Sequence, residues 1–245
     1  MSTPFATIRG HTIYTPPLGP TSVIMDLGAN HGAFAAEMHA RFGGTYYVVE
    51  ANPALAAQLR EDTRFVVWHC AVTPTGGPIA FNVARNDEGS SILGLPTSSP
   101  YECVLSETVE VSGRTLESLI TATDTERVDL VKMDIEGAEV AVLRDAPNHV
   151  LRRIGQLTIE FHGDPMFGFG LADEVEHVIT SLRRRGFLCL DFTNRQRLNV
   201  LCINSSVHPL PWLTRVRWSL QTDPPNWLRR LWRIVPASWR HGRRT

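Results

Sequence analysis

Apolar residues along this chain follow two alternating rhythms. Short β-branched or aromatic runs that close on an acid are followed by stretches whose apolar positions lie three or four apart. Ser22–Leu27 (SVIMDL) reads as a first buried strand feeding a Gly-Ala-Asn-His-Gly turn. Phe34, Met38 and Phe42 then recur at helical spacing until Gly43-Gly44 stops them. Thr45–Glu50 (TYYVVE) predicts a second strand, and Asn52-Pro53 opens a helix with Asn52 as its N-cap. Arg64–Cys70 is a third strand. Pro78–Val83 and Thr108–Val111 predict a hairpin-like excursion around the polar loop Asn86–Ser91, and Thr115–Ile120 a short helix. Val128–Asp134 and Gly155–Phe161 are the next strands. Leu171, Val175, Ile179 and Leu182 share a helix face whose last turn, Arg183-Arg184-Arg185, complements the helix dipole before Gly186. Phe187–Asp191 and Asn199–Asn204 close the sheet.

Strands and helices alternating on this scale predict an α/β fold, a doubly wound, mostly parallel sheet with helices on both faces. Ligands of such sheets bind beyond the carboxyl ends of the strands. Those ends read Asp26-Leu27-Gly28-Ala29-Asn30-His31-Gly32, Glu50-Ala51-Asn52, Cys70-Ala71, Asp134-Ile135-Glu136-Gly137 and Glu160-Phe161-His162. The first turn is not a dinucleotide fingerprint, because GxGxxG from Gly28 needs glycine where Asn30 and Ala33 stand. A turn led by Asp26 with glycines at 28 and 32 suits a ligand bearing an ammonium and a carboxylate. Glycine permits close approach, and the acid and backbone amides meet the two charges. Glu50 is placed to accept both ribose hydroxyls of an adenosine. Together these features describe S-adenosylmethionine, held by Asp26, Gly28, Ala29, Asn30, Gly32, Glu50, Ala51, Asn52, Cys70 and Ala71.

Asp26–Gly32 (DLGANHG), Glu50–Pro53 (EANP), Thr115–Leu119 (TLESL), Val128–Glu139 (VDLVKMDIEGAE) and Ile159–His162 (IEFH) resemble, in order and spacing, the FkbM-type methyltransferases. The likeness covers residues 22–205. The DLVKMDIEGAE block carries most of it, since DxGAxxG alone marks only the wider methyltransferase class. The resemblance implies a Rossmann-like methyltransferase fold and methyl transfer to a hydroxyl oxygen of a sugar, glycolipid precursor or polyketide-type molecule. Ala51 departs from the family's proline in an EPNP turn, a change that touches the turn and leaves the Glu50 carboxylate in place.

A sulfonium methyl is already electrophilic, so the reaction needs an oxygen held in line with it and a group to take that oxygen's proton. His162 is the candidate base, its alternative being a strand-end histidine bonded to backbone. Asp134 and Glu136 join it in the catalytic set. Asp134 and Glu160 are also the candidate ligands of a magnesium ion, although the same carboxylates can position acceptor hydroxyls by hydrogen bonding. Glu139, one turn further on, is read as solvated, and His31 as a surface group. Lys132 is the only lysine in the chain. Its place in the most family-like block points to a need for a compact cation, unless it is a chance exception in an arginine-rich composition. Asp87, Ser90 and Ser91 form either a substrate-contacting or an ordinary surface loop. Two other functions fit parts of the pattern. A non-catalytic S-adenosylmethionine-binding protein needs Glu50 and Gly28 but no base, and an RNA methyltransferase would use the basic C-terminal segment, yet no NPPY-type motif or RNA-binding module is present.

Charge divides the chain. Its 245 residues, 43% hydrophobic and 20% charged, suit one large domain with an appendage. From Pro209 to Thr245 eight arginines face one acid, a net of +7, and the whole chain's −1 leaves −8 for residues 1–208. Trp212, Trp218, Trp227, Trp232 and Trp239, five of the six tryptophans, fall in this segment. On a helix over Asn226–Val235, Trp227, Leu228, Leu231, Trp232 and Val235 would lie opposite Arg229, Arg230 and Arg233. That pattern suits a membrane surface, packing on the acidic body or a second copy as a homo-oligomer contact, or nucleic acid, which the acidic remainder disfavours. The expected division is an N-terminal extension (1–21), a methyltransferase domain (22–206) and a basic C-terminal extension (207–245). Lacking a secretory leader or a run of about 18 apolar residues, the chain is expected to be cytoplasmic, and peripheral at the inner membrane face if the tail binds lipid. Cys70, Cys103, Cys189 and Cys202 have no metal-ligand spacing and are read as buried free thiols.

Overall fold

The computed structural model describes residues 3–85, 89–93, 104–163, 169–193 and 198–222. A hairpin of β1 (Phe5–Ile8) and β2 (His11–Tyr14) precedes the first core strand, β3 (Val23–Leu27). There follow α1 (Ala33–Phe42), β4 (Thr45–Glu50), α2 (Pro53–Leu59) and β5 (Phe65–His69). The short β6 (Ala71–Val72) joins β7 (Gly77–Ala84) and β8 (Leu105–Arg114) in a separate three-stranded sheet. The chain returns through α3 (Leu116–Ala122), β9 (Leu130–Met133), α4 (Glu139–Asp145), α5 (Asn148–Arg152) and β10 (Gln156–Ile159). It then forms α6 (Ala172–Arg184), β11 (Phe187–Asp191), β12 (Val200–Asn204) and α7 (Trp212–Thr222).

The central sheet runs β11-β12-β10-β9-β3-β4-β5, and only β12 opposes its neighbours. From β3 the chain builds outward through β4 and β5, then crosses back to build β9 and β10 on the other side. The strand order therefore reverses between β3 and β9, which opens a crevice at their carboxyl ends.

The elements expected before Pro209 are present, with differences that have local causes. The strand expected over Val128–Asp134 is cut to Leu130–Met133, because the Asp129 carboxylate turns to accept from the Val23 N–H at 2.9 Å. The sequence reading missed α4 and α5, which are short and separated by Pro147. It also missed the β1–β2 hairpin, whose strands are only four residues long and whose turn places Arg9 and Gly10 at positive φ.

Side chains alternate across each strand, so each strand serves two cores. On one face Met25, Leu27, Val131, Met133, Leu157 and Ile159 pack under α3 to α6. On the other, Ile24, Tyr46, Val48 and Leu130 lie under α1 and the hairpin's Ile8 and Ile13. Further along that second face, Leu188, Leu190, Leu201 and Ile203 are covered by Phe5, Tyr14, Leu210 and Trp218. The same parity decides where the polar residues go. Asp26 pairs in register with Lys132 on the hairpin-covered face.

Cys70, Cys189 and Cys202 are buried thiols. Asp87, Cys103 and the helix expected over Asn226–Val235 lie outside the described residues. No helix among the described residues is long and apolar enough to cross a membrane.

Candidate active site

At the switch point, beyond the carboxyl ends of the strands, lies a cavity. Gly28, Asn30, Glu50, Ala51, Asn52, Cys70 and Ala71 line it, and so do Asp134 and Glu136. Seven of the ten expected cofactor residues therefore share one space with two of the expected catalytic residues. Leu55, Val72, Phe81 and Ile92 supply an apolar wall, and Gly89 and Ser90 bring the polar loop to the rim.

The β3 turn is shaped by close backbone approach. Gly28 has φ +76°, and a Cβ there would stand 1.8 Å from the Asp134 carbonyl oxygen. The Gly28 and Ala29 N–H groups both donate to the Val49 carbonyl at 3.0 Å, folding the turn across β4. This brings the Asn30 N–H to Glu50 Oε2 at 2.7 Å, while the Asn52 N–H donates to Oε1, also at 2.7 Å. Burial raises the Glu50 pKa, and these two donors work against the rise. Each carboxylate oxygen retains capacity for another hydrogen bond. The Asn52 side chain caps α2 instead, accepting from the Ala54 N–H at 2.9 Å.

Three expected cofactor residues stand elsewhere. Asp26 has no exposed surface and does not line the cavity. Its carboxylate lies 3.2 Å from Lys132 Nζ, which donates to the Gly28 carbonyl at 2.6 Å. Asp26 thus anchors the cation that braces the glycine turn, and the expectation that it meets the ligand's ammonium is corrected. The reading of Lys132 as a needed compact cation agrees with this buried position. Ala29 lines a neighbouring cavity with Arg9, His11, exposed His31 and Phe34. Gly32 begins α1 on the outer side of the turn.

The β9–β10 end of the cavity is a cluster of charges. Asp134 Oδ2 lies 3.5 Å from Lys132 Nζ and 3.6 Å from His11 Nε2, and its Oδ1 lies 3.8 Å from His162 Nε2. Burial opposes its ionisation, but Lys132 and the histidines outweigh burial and hold the carboxyl well below the usual range. Glu136 occupies a left-handed backbone position, φ +52°, followed by Gly137 at φ +99°. The Ser91 hydroxyl donates to the Glu136 carbonyl at 2.6 Å, fixing this turn. Burial, then the charges of Asp134 and Glu139, push the Glu136 carboxyl up to about 7 despite nearby His162. Burial and the Asp134 charge also raise Glu160.

Glu139 is not solvated. It is fully buried, its Oε1 accepts from the Ile135 N–H at 2.8 Å, and its Oε2 accepts from the Gly137 N–H at 3.1 Å. Oε1 also lies 3.1 Å from His162 Nδ1, whose ring partner Nε2 is 3.2 Å from Glu136 Oε2. Burial disfavours the imidazolium, yet the charge and hydrogen bond of Glu139, followed by Glu136 and Asp134, raise His162 to about 10. A protonated imidazole has no lone pair to accept a proton, so this setting argues against the base role expected of His162.

The donor sets do not fit magnesium. His11, Asp134 and Glu160 lie within 4.8 Å of one another, as do Asp134, Glu136 and His162. Each set pairs two carboxylates with an imidazole, a nitrogen donor that suits zinc, copper, iron or nickel, whereas magnesium takes oxygen ligands. Lys132 and His162 already provide Asp134 with positive charge.

Two residues of this cluster escaped sequence reasoning. His11 arrives from the N-terminal hairpin, and no local pattern marks it. Glu139 carried a usable signal, an acid opening a helix straight after a glycine turn.

A family model for the methyltransferase FkbM domain matches residues 26–189, a span containing both ends of the cavity. The chain belongs to this family. As an FkbM-domain methyltransferase it is 28% identical over 138 residues to the 2-O-methyltransferase NoeI of Sinorhizobium fredii, covering 51% of this chain and 57% of the relative. Among solved structures it is similar to methyltransferase FkbM from Methylobacillus flagellatus, with TM-score 0.48 and 16% identity over 78% of this chain and 46% of that one. It is also similar to an rRNA methylase from Streptococcus thermophilus, with TM-score 0.42 and 12% identity, covering 76% and 86%. The chain thus spans less than two thirds of the curated relative and of the first of these structures.

Proposed function

We propose that this methyltransferase uses S-adenosylmethionine and methylates a hydroxyl oxygen of a sugar or similarly hydroxylated small molecule. The observation that carries the reading is Glu50, held by two backbone donors in the same cavity as Glu136, whose carboxylate pairs with His162 behind it. Glu50 would take the ribose hydroxyls, the wall of Leu55, Ala71, Phe81 and Ile92 the adenine, and ionised Asp134 the amino group. The cofactor, when bound, supplies an electrophilic methyl group. Glu136 then receives the proton of the acceptor hydroxyl, since a carboxyl near 7 is a base matched to neutral pH. His162 positions that carboxylate and steadies its charge, and Glu139 keeps His162 protonated. Transfer to oxygen is carried over from the name of the 2-O-methyltransferase relative. The test is methyl-labelled S-adenosylmethionine offered with a panel of saccharides. Label on an ether oxygen with matching S-adenosylhomocysteine is expected, and label on nitrogen or carbon would contradict the assignment.

A further inference from the structure

Helix α7 presents two opposed faces. Placed at about 100° per residue, Thr214 and Trp218 point toward the sheet. The Trp218 ring centroid lies 4.7 Å from Phe5 and 5.8 Å from Tyr14. On the opposite side Trp212, Leu213, Val216 and Leu220 share an arc of about 100°. They are 70, 62, 46 and 41% exposed. On the same wheel Arg215 and Arg217 fall at the two edges of this arc. An exposed tryptophan and three aliphatic side chains bordered by arginine form the pattern of a helix lying in a lipid–water interface.

Charge indicates which surface is complementary. The segment from Pro209 carries a net +7 while residues 1–208 carry −8. An anionic bilayer therefore attracts this segment and repels the rest, which fixes the approach. We propose that the outer face of α7 docks on an anionic lipid surface, with Trp212, Leu213, Val216 and Leu220 beneath the headgroups and Arg215 and Arg217 at phosphate level. The hairpin links this face to the crevice. Phe5 and Tyr14 lie under Trp218, and His11, three residues along the same strand or about 10 Å away, reaches Asp134 and Glu160. Docking thus holds the acid end of the cavity near the bilayer. A lipid-linked acceptor as its occupant rests on the function proposed above, whereas the docking does not.

The test uses the full chain with sedimented vesicles of phosphatidylcholine alone and of phosphatidylcholine with phosphatidylglycerol. Binding to the anionic vesicles only, weakening as salt rises, is expected. The double variant Leu213→Glu/Leu220→Glu, altered at exposed positions, should partition about tenfold less or weaker still, with unchanged circular dichroism and unchanged S-adenosylmethionine binding. Three results overturn the proposal: no vesicle binding by the parent protein, equal binding by the variant, or an oligomer that the variant dissociates while vesicles are ignored. Intact vesicle binding by a protein that fails to bind S-adenosylmethionine would refute the proposed function and leave the docking standing.

Discussion

The two ends of the cavity are built by different means. At the β3–β4–β5 end, backbone amides do the positioning. Glu50 accepts from Asn30 and Asn52, and the turn is set by a glycine that tolerates contact with Asp134. At the β9–β10 end, side chains from distant segments do it, with His11, Lys132, Asp134, Glu136, Glu139, Glu160 and His162 gathered around one mouth. Fixed dipoles suit the first end, whose proposed task is to recognise neutral hydroxyls. Interacting titratable groups suit the second, because proton transfer needs groups whose surroundings drive their pKa values apart. Asp134 is driven down, Glu136 up to about 7 and His162 up to about 10.

The strongest way to break the comparison is Gly28→Ala, because that position touches both ends. Its Cβ would collide with the Asp134 carbonyl at a positive φ, so stability should fall by about 3 kcal/mol or more in denaturant unfolding. An unchanged midpoint would show that the turn tolerates a side chain and that the close approach is not needed.

Glu136→Gln acts on the acid end alone and should lower turnover by about 100-fold. In the parent enzyme the rate should rise with pH through about 7 as Glu136 loses its proton, and fall near 10 as His162 loses its own. The glutamine variant should lack the rising limb. If that limb persists, another group takes the proton.

A smaller and sharper effect is expected from Glu139→Gln. Without that charge His162 should titrate below its present value of about 10, back toward the ordinary 6.5, and the falling limb should move with it. The linkage has a definite sign. A raised folded-state pKa stabilises the fold fully below about 6.5 and loses that contribution as pH climbs toward 10. Stability of the variant should therefore depend less on pH across this window. An imidazole resonance of His162 that titrates as in the parent would assign its protonation to other neighbours.

The same contrast explains what could be read from the sequence. The β3 turn, the Asn52 cap and the Glu50 position were legible because each depends on residues close in sequence and on backbone rules. The alternation that buries Asp26 and Lys132 together was also present in the pattern, but only the register between β3 and β9 shows that they meet. The roles of Glu139 and His162 were not legible, since protonation is set by which charges the fold brings within about 4 Å of one another. His11 lies more than a hundred positions from its partners, and a four-residue hairpin strand carries too little pattern to announce it.

The central claim is that ribose recognition and proton handling occupy separate ends of one cavity. Calorimetric titration of S-adenosylmethionine into the parent, Glu50→Ala and Glu136→Gln proteins tests it without knowledge of the acceptor. Loss of the charge-assisted hydrogen bonds of Glu50 should weaken binding by about 1–3 kcal/mol, while the affinity of Glu136→Gln stays at the parent value. Undiminished binding by a folded Glu50→Ala protein, or an equal loss in Glu136→Gln, would contradict the division.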